Sequence, residues 1–105
     1  MFRFLVLAVF MFPALYPAAA NIYSDCEQSR DLDRSIRACS RILERGKREG
    51  RVNIIASIMA YSHRGIAYGK KGDYDRAIAD YRMALSIDPN IRWAKRALKQ
   101  LGIEP

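Results

Sequence analysis

Residues 58–91, reading IMAYSHRGIAYGKKGDYDRAIADYRMALSIDPNI, constrain the fold more than any other stretch of the chain. Small, aromatic and proline positions succeed one another there in an order that specifies two packed helices. The first is expected over about 52–71. Val52, Ile54, Ile55, Ala56, Ile58, Met59, Ala60 and Tyr61 leave hardly any polar face in its first half. A helix apolar nearly all round is buried on more than one side, so this one is expected at the centre of the molecule. Lys70 and Lys71 complement the negative end of its dipole, and Gly72 supplies a positive-φ exit. The second helix, 74–87, is amphipathic, with Tyr74, Ile78, Tyr81 and Leu85 on one stripe and Ala77 and Ala84 beside it. Asp88-Pro89-Asn90 stops it, and Pro89 is expected to start a last helix as its first residue. That helix, over 91–101, would bury Ile91, Ala94, Leu98 and Leu101 and expose Arg92, Lys95, Arg96 and Lys99.

Upstream, 21–30 is polar and reads as a turn or a short helix pinned by Cys26. From Leu32 the pattern sharpens. Leu32, Ile36, Cys39 and Leu43 mark one face of a helix, while Arg34, Arg37, Arg41, Arg45 and Arg48 run down another at steps of three and four. Asp31 or Asp33 can cap its start, and Gly46 or Gly50 can end it, with a charged loop expected over 46–51. Asp33-Arg34-Ser35-Ile36 aligns with Asp75-Arg76-Ala77-Ile78 at an offset of 42, and the match extends to Leu43 with Leu85. The chain therefore holds one complete unit, 58–91, and the second half of an earlier one, 31–44. Periodicity of this kind marks a stacked repeat architecture.

Tyr61-x2-Arg64-Gly65-x2-Tyr68, then Ala77-x3-Tyr81, then Ala84 and Pro89, resembles the tetratricopeptide signature W-x2-L-G-x2-Y, A-x3-F, P. The resemblance implies an all-α fold: antiparallel helical hairpins stacked as a short α-solenoid, with a C-terminal solvating helix. Gly65 and Ala77 are then small because the two helices cross closely there, with Tyr61, Tyr68 and Tyr81 filling the gaps. Facing positions across a hairpin have a constant sum, 142 for Gly65 with Ala77 and for Tyr61 with Tyr81. Arg64 replaces the usual apolar residue and should meet Asp80 in a salt bridge.

The first twenty residues look like a targeting segment. Met1-Phe2-Arg3 precedes an apolar run over 4–12, Pro13 and Pro17 break it, and Ala18-Ala19-Ala20 suits a signal peptidase. Cleavage after Ala20 is expected over retention as an anchor, because nine apolar residues fall short of the roughly 20 that span a bilayer. Tyr23-Ser24-Asp25 lacks the small and aliphatic residues that lipid attachment to Cys26 requires. The domain would then be 21–105, with 17 Lys and Arg (18 less Arg3) against 11 Asp and Glu, a net +6. Cys26 and Cys39 both lie in this exported part, where an oxidising compartment lets a disulfide persist. Two buried free thiols are the alternative. Export, the cysteine pair and the Arg64-Gly65 variant together resemble small exported bacterial tetratricopeptide proteins, which implies a periplasmic or secreted location.

Catalysis has little to draw on. His63 is the only histidine, with no nucleophile, base and orienting group arranged about it, and neither a cofactor nor a metal is implied. The resemblance implies instead a protein-interaction module binding a protein or peptide in the concave face of each first helix. Met59, Ser62, His63, Ile66 and Lys70 fall there. The family's lysine and asparagine clamp for acidic chain ends is not matched, since Ser62 and Ile66 stand instead. The rival reading is a basic protein that attaches to anionic lipid or cell-wall polymer through its arginine-rich faces; an exported chain would not meet nucleic acid. With about one and a half units where three usually stack, the disulfide or self-association through the truncated N-terminal side would have to compensate.

Overall fold

The computed structural model describes residues 21–50 and 53–104. The expected leader, 1–20, and the expected helix start at Val52 lie outside the described residues. Five helices and no strand are present among them: α1 Ile22–Glu27, α2 Leu32–Glu49, α3 Ile54–Lys70, α4 Tyr74–Ile87 and α5 Arg92–Gln100. Each packs on its sequence neighbour except that α1 also reaches α3, so α3 is the central element.

Short polar residues set the helix starts. Asn21, Asp31, Asn53 and Asp73 each turn a side-chain oxygen back onto an early amide of the helix they cap. Glycines set two exits. After α3, the amide of Gly72 (φ 82°) donates to the Gly69 carbonyl and that of Asp73 to the Tyr68 carbonyl, a paired closure repeated after α5 by Gly102 (φ 76°) and Ile103.

Several expectations are corrected. The stretch 46–49 is helix rather than loop. An interior glycine costs only about 1 kcal/mol, and Gly46 lies on the packed side of α2 beside Ala56 and Ser57 of α3; Gly50, at φ 62°, ends the helix. Arg48 is thus within α2. Pro89 does not open α5: it sits in the turn closed by the Ile91 amide on the Asp88 carbonyl, and Ile91 is the N-cap. Leu101 falls just past the helix as its C-cap. Nor is α3 buried all round, since Ile54 is 59% and Ile55 80% exposed. Ile55 faces the open side of α3, where it lines a depression rather than the core. Tyr74, at the first position of α4, is likewise more than half exposed.

Two apolar clusters make the core. One gathers Cys26, Cys39, Ile42, Leu43, Ala60, Tyr61 and Ala84 from α1 to α4. The other centres on Ala77, Tyr81 and Leu98, where α5 closes the C-terminal end. Cys26 and Cys39 are joined in a disulfide and both are fully buried. At the offset of 42 these cysteines stand where Tyr68 and Tyr81 stand in the complete unit. The bridge therefore takes the place of aromatic packing in a unit whose first helix is six residues long. Beside it the Ser35 hydroxyl donates to the Cys26 carbonyl at 2.6 Å.

Arg64 meets Asp80 as expected. Its Nε and terminal nitrogen donate to the two carboxylate oxygens at 2.9 and 2.8 Å, and its other nitrogen reaches Ser40 Oγ on α2 at 3.0 Å. One guanidinium thus ties α2, α3 and α4 together and lies 5.7 Å from the centre of the Tyr61 ring. The Asp80 bond holds the Arg64 pKa above its ordinary value despite partial burial. The facing of small residues is different from the expected register. A Cβ on Gly65 would stand 2.8 Å from Tyr81 Cε1, whereas Ala77 faces Gly69. The glycine makes room for an aromatic ring rather than for another small residue, and the small pair falls one turn further along.

Candidate functional site

α3 presents its third and fourth residues in turn to one side of the molecule. Ile55, Ile58, Met59, Ser62, His63 and Ile66 line an open depression of about 510 Å³ there, with Trp93 of α5 as the opposite wall. Met59, Ser62, His63 and Ile66 of the expected groove are therefore brought together. Lys70 belongs to an adjoining depression of about 270 Å³, with Tyr74, Ala97 and Gln100, and Ile66 lines both.

The chemistry of the larger depression is apolar. Ser62 spends its hydroxyl on the Ile58 carbonyl of its own helix, which leaves a methylene facing outward. His63 is half-buried, and its imidazole and the Trp93 indole are the ring polar groups of the lining. No carboxylate lines either depression, and Lys70 is the only charge. Such a surface accepts aliphatic side chains, with His63 as the only titratable side chain lining the larger depression. Among the described residues no group of three or more His, Cys, Asp or Glu is placed to hold a metal.

Two supports hold the groove walls. Met59 Sδ lies 3.7 Å from Cys26 Sγ, so the floor rests on the disulfide. Trp93 meets Tyr81 edge to face at 6.0 Å between ring centres. Ile55, Ile58 and Trp93 are absent from the groove expected on helical spacing, yet a signal for the tryptophan exists. The unit length of 34 carries Met59 onto Trp93, and likewise Ile66 onto Gln100.

Of the repeat-defining residues, Tyr61, Gly65, Ala77, Tyr81 and Ala84 are buried. Tyr68 is half-buried beneath the Arg76 guanidinium, 5.7 Å away. Burial, with the Asp80 charge adding to it, raises the Tyr81 phenol above its ordinary pKa of 10.

The basic residues fall into separate groups. Arg34, Arg37 and Arg41 line a cleft against α1, Arg45 lines a small cavity with Tyr23 and Glu49, and Arg92, Lys95, Arg96 and Lys99 are all exposed on α5. A pairing not anticipated from sequence joins Lys71 to Asp33, binding the exit of α3 to the start of α2 and holding the Asp33 carboxyl below its ordinary pKa.

Residues 58–91 match the family model described as tetratricopeptide repeat. That segment is a tetratricopeptide repeat. No curated protein and no solved structure matches the chain. The matched repeat comprises most of α3, all of α4 and the turn to α5, so the groove lies on its first helix, and the chain carries a protein-interaction module. Tetratricopeptide repeats are typically scaffolds rather than catalysts. No described helix is long and apolar enough to cross a membrane.

Proposed function

We propose that this chain is an exported, non-catalytic adaptor of the cell envelope that holds a short apolar segment of a partner protein in the groove along α3. The apolar lining carries this reading: Ile55, Ile58, Met59, Ile66 and Trp93 converge on one depression in which the only hydroxyl is turned inward. An exposed apolar depression with a few polar groups is the ordinary form of a recognition site. The groove is short because one complete repeat supplies it, so it suits two or three side chains of an extended or helical segment. Export is supported by the leader-like residues 1–20, and the buried Cys26–Cys39 bridge suits an oxidising compartment.

The test is retention of envelope proteins on the immobilised chain at low and high salt, compared with Ile66→Asp, whose site is already 39% exposed and tolerates a polar group. A protein partner retained at high salt and lost on I66D supports the groove. Equal retention by both refutes it. Export is checked by the N-terminus of the chain recovered from its native host, expected at Asn21.

A further inference from the structure

The arginine stripe of α2 forms a built cleft rather than a uniform solvated face. Arg34, Arg37 and Arg41 stand on successive turns and share a cleft of about 510 Å³ with Ile22, Asp25, Asp31 and Ala38. The opposite wall is α1, which the buried Cys26–Cys39 bridge fixes to α2. The cleft holds three cations and two anions, but these are not equally available. Asp25 forms a salt bridge with Arg34 Nε at 3.2 Å, and Asp31 accepts from the amide of Arg34 as the N-cap of α2. Arg37 and Arg41 make no salt bridge among the described residues. Asp33, the nearest acid along the helix from Arg37, is engaged by Lys71. Two exposed guanidinium groups four residues apart are neighbours on a helix surface, so their planar forks can converge on one tetrahedral oxyanion. Ile22 and Ala38 form an apolar floor beside them.

The complete repeat provides an internal comparison. At the offset of 42, Arg34, Arg37, Arg41 and Arg45 correspond to Arg76, Ala79, Met83 and Ile87 on α4. Only the first of the four is basic there. The fold of a unit therefore does not require a basic stripe on its second helix, and the one on α2 is specific to that helix. Arg92, Lys95, Arg96 and Lys99 of α5, also exposed and basic, line neither depression beside α3.

We propose that the α1–α2 cleft binds the phosphoryl headgroup of an anionic lipid, with Arg37 and Arg41 clamping the phosphate and the Ile22–Ala38 floor meeting the glyceryl portion. This site is separate from the groove on α3 and does not rest on it. The apolar floor beside the clamp is what favours an amphiphile over a free ion. The cleft shares no lining residue with the two depressions beside α3, so a lipid headgroup and a protein segment would not compete for the same side chains.

The full chain is incubated with phosphatidylglycerol–phosphatidylcholine vesicles and with phosphatidylcholine vesicles alone, and bound protein is measured by co-sedimentation. Arg37→Gln with Arg41→Gln is compared against Arg92→Gln with Arg96→Gln, which removes the same charge from α5 and leaves the cleft. All four side chains are exposed, so both variants should fold, with thermal unfolding as the check. Each basic side chain near an anionic leaflet contributes roughly fivefold to binding, so the cleft pair should cost about thirtyfold on anionic vesicles. The α5 pair should cost less than about threefold, the share of a single, more distant charge. Binding should weaken as salt rises and be small on phosphatidylcholine, where any contribution of residues 1–20 is common to all variants. Equal losses from the two pairs would mean that only net charge matters and would overturn the site. Tight binding of glycerol phosphate or inorganic phosphate at constant ionic strength, lost in R37Q/R41Q without vesicle binding, would replace the lipid with a soluble phosphate and overturn the assignment.

Discussion

Replacing Arg64 by Leu restores the residue type that the repeat signature has at this position, yet it should destabilise the protein. The Asp80 side chain is 5% exposed, and both of its charge-assisted bonds come from Arg64. Removing one partner of a buried pair strands the other, at a cost of about 3–5 kcal/mol. We take about 3 kcal/mol for R64L, the lower end, because the pair is not sealed: the Arg64 side chain is 21% exposed. D80A should cost less, about 2 kcal/mol, since the orphaned guanidinium keeps Ser40 and its share of solvent. The double variant R64L/D80A removes both charges, leaves a small void, and should also lie near 2 kcal/mol, where additivity would require about 5. Urea unfolding of the oxidised chain, followed by circular dichroism, measures all four species. The implied coupling of about 3 kcal/mol is far outside the error of that cycle. Additive single effects, or D80A costing more than R64L, would refute the account of Arg64 as a replacement compensated by Asp80.

Three further outcomes rest on the same packing. Reducing the Cys26–Cys39 bridge, which closes a 14-residue segment, should lower stability by about 3 kcal/mol; unchanged unfolding under reductant would show that α1 is held by its contacts alone. G65A should lose about 1 kcal/mol despite the better helix propensity of alanine, because its Cβ would meet the Tyr81 ring. G69A, whose Cβ would lie 3.9 Å from Ala77, should instead gain about 0.5 kcal/mol, and thermal unfolding of both variants tests the contrast. The raised Tyr81 pKa predicts one phenol that stays protonated past pH 10 in ultraviolet titration and is missing in Y81F. The sign comes from the direction of the shift: a folded-state value above the unfolded one stabilises fully below about pH 10 and is lost as pH rises through the folded value.

Most of the fold was legible because its determinants are local. The cap at Asp31, the exit at Gly72 and the apolar period of α4 are short-range chemistry, and the repeat offset turned them into hairpins. Arg64 with Asp80 was legible too, since a buried-position charge demands a partner and the antiparallel geometry offers few. Misreadings occurred where a local signal met a competing long-range one. Gly46 reads as a helix stop, but packing against α3 carries α2 through it. Ile54 and Ile55 read as core, but burial depends on whether another element covers them, and none of the described ones does.

The groove shows the same division. Its α3 face could be read from helical spacing, and Trp93 could have been added from the 34-residue unit. Sequence by itself determined the helical periods, the hairpin order and the family of residues 58–91. Tertiary structure decided which side chains share a surface: that Met59 rests on the disulfide, that Trp93 closes the groove, and that α1 turns three arginines of a plain stripe into a cleft. The physical reason is that propensity and capping act within a few residues. Burial and pairing depend on the distance between elements, which only the packed chain sets.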